Sequence, residues 1–274
     1  MSWVPPPEPE RRALSAADWM RVALRAPAMA FVVFGGLALL LLLRLFERPL
    51  AGMTRPVTPH ITVAVCRLSL RIMGLVVVQR GRLMTGRGAL VANHASWLDI
   101  FVLNSRKTLY FVSKSEVASW PGIGWLARAT GTVFIRRDRR QAREQAKLFE
   151  DRLIYGHRLL FFPEGTSTDG LRVLPFKTTL FAAFFSDRLQ HEISLQAVSV
   201  VYFAPQGQPA DFYGWWGDMS FAPSLVDVLA QRRQGRVELI YHDPQRVDDF
   251  PNRKTLAAKL EEQVRSGFDA ARHN

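Results

Sequence analysis

Thiols are almost absent from this chain. Its one cysteine, Cys66, excludes an intrachain disulfide framework, and nothing around it has the spacing of a metal cluster. A lone cysteine also agrees with a domain facing a reducing cytoplasm. Internal repeats and low-complexity tracts are missing as well, which excludes solenoids and repeat arrays. Acidic residues are scarce: 24 Asp and Glu stand against 36 Lys and Arg, a net charge of +12. Such an excess attracts anionic partners, namely nucleic acid, an anionic membrane surface or phosphorylated substrates. Charge alone does not choose among the three. What is present is ordinary for a folded protein: 274 residues, 48% apolar and 22% charged, enough for one large domain and an appendage.

Along the chain the first change comes early. Pro5, Pro6, Pro7 and Pro9 among charges read as a disordered opening, and residues 1–25 as a flexible lead. From Ala26 to Leu43 run 18 residues without a charge, bracketed by Arg25 and Arg44. As a helix that run is roughly 27 Å long, close to the hydrocarbon thickness of a bilayer. A secretory signal is the competing reading, since Arg21 and Arg25 precede it. The run is long for that, and Arg44, Glu47 and Arg48 follow where small cleavage-site residues belong. A second apolar segment, Pro59 to Met73, carries Arg67 and Arg71 one turn apart, away from Ile61, Val65, Leu68 and Ile72. It fits a helix lying in the membrane interface with its arginines toward lipid phosphates, and equally a helix packed on the domain with solvated arginines. Residues 26–73 therefore form an expected pair of membrane-associated helices.

After Leu75 short apolar runs alternate with longer amphipathic ones. Expected strands are 75–79, 89–92, 109–112, 132–135, 158–162, 196–202 and 236–241; expected helices are 97–104, 115–129, 141–155, 177–189, 223–231 and 254–271. This alternation predicts an α/β domain over 74–274, a mostly parallel sheet flanked by helices.

Three strand ends carry candidate chemistry. In Asn93-His94-Ala95-Ser96-Trp97-Leu98-Asp99, five residues separate histidine from aspartate. Neither one helix nor one strand brings side chains at that spacing together; a strand-to-helix joint does. Ala89–Ala92 supplies the strand, Asn93 a turn former and Ser96 an N-cap. Asp99 would then hold the Nδ1–H of His94 and leave Nε2 free as a base. Taken alone, the pair reads as easily as a loop histidine and a first-turn acid favoured by the helix dipole. Next, Gly131-Thr132-Val133-Phe134-Ile135 emerges into Arg136, Arg137, Arg139 and Arg140, placing cations at a sheet edge where ligands bind. Third, Phe162-Pro163-Glu164-Gly165-Thr166 ends a strand in a polar loop whose glycine allows close approach. Lys114 and Lys177 stand near strand or helix ends as phosphate contacts or surface lysines. The indole-rich run Tyr213-Gly214-Trp215-Trp216-Gly217-Asp218-Met219 reads as an interfacial anchor, an acyl-pocket wall or core.

Together these motifs resemble the 1-acylglycerol-3-phosphate acyltransferase family. N-H-x4-D matches Asn93, His94 and Asp99; the Gly and Phe-x-x-Arg motif matches Gly131, Phe134 and Arg137; Phe-Pro-Glu-Gly-Thr matches Phe162 to Thr166. Order and spacing agree from Leu75 to Tyr202. The family's fourth motif has a proline in an apolar strand where this chain has Ser199, in Ala197-Val198-Ser199-Val200. The resemblance implies a membrane enzyme of phospholipid biosynthesis at the inner membrane, with its site on the cytoplasmic side. In it, His94 and Asp99 are catalytic, Arg136, Arg137 and Lys114 hold an acceptor phosphate, and Glu164, Gly165 and Thr166 hold the glycerol. The acyl donor is acyl-CoA or acyl carrier protein, with no metal or other cofactor. The expected acceptor is 1-acylglycerol-3-phosphate, giving phosphatidic acid. The alternative is a lyso-ornithine lipid or another lysolipid, since the Trp215-Trp216-Gly217-Asp218 stretch resembles one in members that make ornithine lipids. A membrane-anchored nucleic-acid binder would need a basic, aromatic-studded face instead of arginines beside a His/Asp pair, so nucleic acid is not an expected partner. A non-catalytic scaffold has no use for the three motifs.

Overall fold

The computed structural model describes residues 3–135 and 142–273. Helix α1 (Ala16–Ala51) comes first and is followed by α2 (Thr58–Met73). The lead is thus shorter than expected. Ser15 caps α1 through a reciprocal capping box with Asp18, and residues 16–25 are already helical. Nor is the proline-rich opening free: Pro6 accepts a hydrogen bond from Trp216 Nε1 at 2.8 Å.

α1 is long and apolar enough to cross a membrane, and leaves Phe31, Leu45, Phe46 and Leu50 exposed. One end is nevertheless tied to the α/β domain. Arg21 and Arg25 donate to the carbonyls of Leu229, Ala230 and Gln231 at 2.6–2.9 Å. At the other end the Glu47 carboxylate accepts from the backbone N–H groups of Val57 and Thr58, fastening α1 to the start of α2. Between these points Gly36 sits against Val65 too closely to admit a side chain, so the helices cross tightly. On α2 the side buried against the protein carries Val63, Cys66, Leu70 and Met73, while Leu68 is exposed. Arg67 donates through Nε to Ser105 O at 2.6 Å, so this arginine is engaged with the domain and not directed only at lipid.

The remaining strands are β1 (Val76–Arg80), β2 (Gly88–Ala92), β3 (Tyr110–Lys114), β4 (Val133–Ile135), β5 (Leu159–Phe161), β6 (Ser194–Phe203), β7 (Arg236–Tyr241) and β8 (Gln245–Arg246). The sheet runs β1-β7-β6-β2-β5-β3-β4, with β8 beside β6. From β6 to β4 every pairing is parallel; β7 runs antiparallel to β6 and carries β1 parallel to itself. Side chains alternate across the sheet. Leu90, Ala92, Val198, Val200 and Tyr202 face a core built with α1, α2, α3 (Leu98–Asn104) and α6 (Phe221–Ala230). Ala89, Val91, Leu195, Ala197 and Val201 face a second core with α5 (Ala142–Ile154) and α7 (Arg253–His273). Burial on both faces is why β2 is apolar throughout.

Two expected helices come out differently. Residues 115–129 divide into a 3-10 turn, Ser115–Ser119, and α4 (Ile123–Thr130), separated at Pro121 and Gly122. Residues 178–185 are 3-10, pressed into the second core by Phe181 and Phe184.

Candidate active site

Because β6, β2, β5, β3 and β4 are parallel, their carboxyl ends share one edge, and the three motifs leave from it. His94 follows β2. Its Nδ1 lies 2.7 Å from Asp99 Oδ2. That same oxygen accepts from the backbone N–H groups of Ala95 at 2.9 Å and Ser96 at 3.1 Å, while Tyr202 OH donates to Oδ1 at 2.7 Å. Asp99 is fully buried. An ionised carboxylate only accepts hydrogen bonds, so the imidazole carries its proton on Nδ1 and turns a lone pair outward on Nε2. The ring stacks on Phe162 at 4.0 Å and 11°, yet a fifth of the side chain stays exposed, enough to meet a substrate.

Asn93 does more than turn the chain. Its side-chain amide exchanges two 2.8 Å hydrogen bonds with the backbone of Val200, a two-point latch between the loop and β6. Asp99, not Ser96, gathers the joint's backbone N–H groups. Ser96 is buried and its Oγ accepts a 3.3 Å bond from Leu98 N, with no base beside it among the described residues, so no nucleophile is presented there. The backbone carbonyl of His94 is held from below by Thr168, through N at 2.9 Å and Oγ1 at 3.2 Å.

Glu164, expected to meet the substrate, points inward. It is 2% exposed, and its two oxygens accept from the backbone N–H groups of His94 and Leu174 at 3.5 and 3.3 Å. Desolvation pushes its carboxyl well above the usual range, and the nearby Asp99 adds to this. Gly165 adopts φ +72° and closes the turn onto Phe162 O at 3.0 Å. A Cβ there would lie 2.6 Å from Lys177 Nζ, so Lys177 comes to this loop. Thr166 is exposed. Lys114 is exposed at the end of β3, two strands from β2 and so about 10 Å across the edge. Arg136 and Arg137 lie outside the described residues; Ile135, immediately before them, pairs with Lys114.

The indole-rich run borders this edge. Trp215 N–H donates to Ala95 O at 2.9 Å, inside the His94–Asp99 loop. Gly214 passes so near Asp169 that a Cβ would lie 2.6 Å from its carbonyl oxygen. The ring of Tyr213 lies 5.4 Å from that of Tyr202. Ser199, standing where the fourth motif has proline, turns to the other face and donates to Val264 O on α7 at 2.8 Å. Tyr202 and Trp215 are the partners that sequence reasoning did not connect to the pair, being more than 100 residues away from it along the chain.

Comparison with known proteins gives the family. The family model described as Acyltransferase matches residues 65–208. A lyso-ornithine lipid O-acyltransferase of Rhodobacter capsulatus is 58% identical over 97% of this chain and 96% of its own length. One of the same name from Brucella abortus is 36% identical over 75% of this chain and 80% of its own. A 1-acyl-sn-glycerol-3-phosphate acyltransferase of Neisseria meningitidis is 32% identical over 65% and 69%. In fold the chain is similar to the crystal structure of the 1-acyl-sn-glycerophosphate acyltransferase PlsC from Thermotoga maritima. The TM-score is 0.65 at 21% identity, covering 94% of this chain and 98% of that one. With its apolar α1, the protein is a membrane-associated enzyme acting on a lipid acceptor. It belongs to the PlsC-type acyltransferase family, whose members here are lyso-ornithine lipid and 1-acylglycerol-3-phosphate O-acyltransferases.

Proposed function

We propose that the protein transfers an acyl chain from a thioester of coenzyme A or acyl carrier protein to the free hydroxyl of a lyso-ornithine lipid. One observation carries the chemistry: His94 is held through Nδ1 by a buried Asp99 while a fifth of its side chain stays exposed, leaving Nε2 to act as base. Nε2 takes the hydroxyl proton as the oxygen attacks the thioester carbonyl. The carbon–sulfur bond then breaks, and the thiolate leaves with the proton returned from the imidazolium. An ester and a free thiol result, with no acyl-enzyme and no metal or cofactor required. The Asp99 carboxylate stabilises the imidazolium that forms. Gly165 and Thr166 offer backbone and hydroxyl to the acceptor. Glu164 acts by positioning His94, and the edge faces the cytoplasmic side of the membrane.

The choice of acceptor rests on the likeness to the Rhodobacter capsulatus enzyme along nearly the whole chain. A second reading, acylation of 1-acylglycerol-3-phosphate to phosphatidic acid, is supported by the Neisseria meningitidis relative and by Lys114, Arg136 and Arg137, which suit a phosphomonoester. The deciding experiment gives the purified full chain both acceptors in mixed micelles, each with acyl-CoA and acyl carrier protein thioesters. We expect the higher kcat/KM with lyso-ornithine lipid. Turnover confined to 1-acylglycerol-3-phosphate would replace the first reading with the second, and undiminished activity in His94→Ala would overturn both.

A further inference from the structure

The amino ends of the same strands carry a second concentration of cations. A pocket of about 180 Å³ opens between the α1–α2 connection and the starts of β3 and β5, lined among others by Arg55, His60, Tyr110, His157 and Arg158. No Asp or Glu is among the described residues lining it. Behind it lies Arg152, 6% exposed, with its guanidinium carbon 4.5 Å from the Tyr110 ring centre; Arg55 approaches the same ring at 6.0 Å. The His157 ring stacks on Tyr110 at 4.5 Å, and its Nε2 pairs with Met53 O at 2.7 Å.

These guanidinium groups are only partly paired. Each gives one N–H to a carbonyl, Arg55 to Ala129, Arg152 to Gly131 and Arg158 to Thr85, while the Nε of all three is buried without a hydrogen-bond partner among the described residues. The carboxylate acting on Arg55 is Glu47, already engaged by Arg44 and by Val57 and Thr58. Burial, and after it the neighbouring cation Arg44 for Arg55 and Arg55 for Arg152, lowers the pKa of both guanidinium groups. Arg55 also holds φ +46°, the one non-glycine among the described residues at positive φ. The pocket residues Thr54, Arg55 and Pro56 follow closely on the end of α1, whose last two turns expose Phe46 and Leu50, so a lipid whose chains lie along α1 could bring its headgroup here.

We propose that this pocket binds a phosphate-bearing anion, as the headgroup of an anionic phospholipid or as free phosphate, at a site separate from the reaction centre. Lys114 lies four residue steps along β3 from Tyr110, which puts the two edges about 13 Å apart. Guanidinium groups with unused N–H are the usual receptors for phosphate. A pocket several water volumes in size takes the charged group and leaves the acyl chains outside, along α1.

The test uses the full chain in neutral detergent and follows its Tm at constant ionic strength. Short-chain phosphatidylglycerol below its micellar concentration, inorganic phosphate and short-chain phosphatidylcholine are titrated separately. A saturable rise of several degrees with phosphatidylglycerol supports the site with a lipid source; the same rise with phosphate alone supports it with a free source. The rise should vanish in Arg55→Gln/Arg158→Gln and persist in Lys114→Ala. If the double variant does not fold, Arg158→Gln alone, at the pocket mouth, should weaken the apparent affinity at least threefold. No rise with either anion, or an equal rise in the pocket variants, would overturn the site whatever acceptor the enzyme prefers.

Discussion

The two ends of the parallel strands solve opposite electrostatic problems. At the carboxyl edge one buried carboxylate, Asp99, collects four donors: one ring nitrogen, two backbone N–H groups and a tyrosine hydroxyl. A buried charge satisfied this fully is held in one place. At the amino edge Arg55 and Arg152 crowd one tyrosine ring, each with a buried Nε unpaired. Completed groups make a rigid frame for catalysis, and incomplete ones mark where something else docks. The contrast shows why a net charge of +12 says little by itself: its meaning depends on which edge the cations occupy.

The sharpest way to break this comparison is His94→Ala. Removing a general base costs about 10³-fold or more in kcat, with Tm near that of the parent; a loss below tenfold would deny the carboxyl edge its assigned chemistry. Tyr202→Phe removes one donor from Asp99 and leaves the ring. It should lower kcat about tenfold at unchanged acceptor KM, whereas a purely structural role would lower Tm and spare kcat. Lys114→Ala should raise acceptor KM about threefold and leave kcat alone, measured with saturating thioester.

The smallest effects distinguish the edges by sign. Glu164 has a folded pKa raised above its unfolded value. Its contribution is therefore fully present below the ordinary Glu range and is lost as pH rises through the folded value. His157 is pushed down to about 4, mainly by desolvation and then by Arg152, so its contribution is present above about 6.5 and is lost as pH falls toward 4. Tm followed from pH 8 to 4.5 should gain at low pH in Glu164-containing protein relative to Glu164→Gln. The same scan should show His157→Gln resisting the acid loss by a few degrees. Equal slopes in both variants would erase the contrast.

Much of this was legible because the signals were local. Seven strands and the His94–Asp99 joint follow from apolar runs and from a spacing that only a strand-to-helix turn satisfies. Tyr202 and Trp215 carry no local mark of their role; only the sheet order, which sets β6 beside β2, brings them to the loop. β8 has two residues, too few for any period to register. The helix expected over 177–189 failed because aromatic packing at Phe181 and Phe184 won over the 3.6-residue pattern. Glu164 reads like a ligand group by type, and its inward turn depends on the N–H groups of His94 and Leu174 that await it.

The grip of Arg21 and Arg25 on α6 has a consequence for how freely the sequence can vary. Both arginines recognise main-chain carbonyls, of Leu229, Ala230 and Gln231, at the negative end of that helix. The hold therefore reads the place where the helix ends, while the buried side chains of Leu229 and Ala230 answer to the core and not to the arginines. At this end of α1 the polar hold between membrane helix and enzyme domain is written into two side chains on one side and into backbone shape on the other.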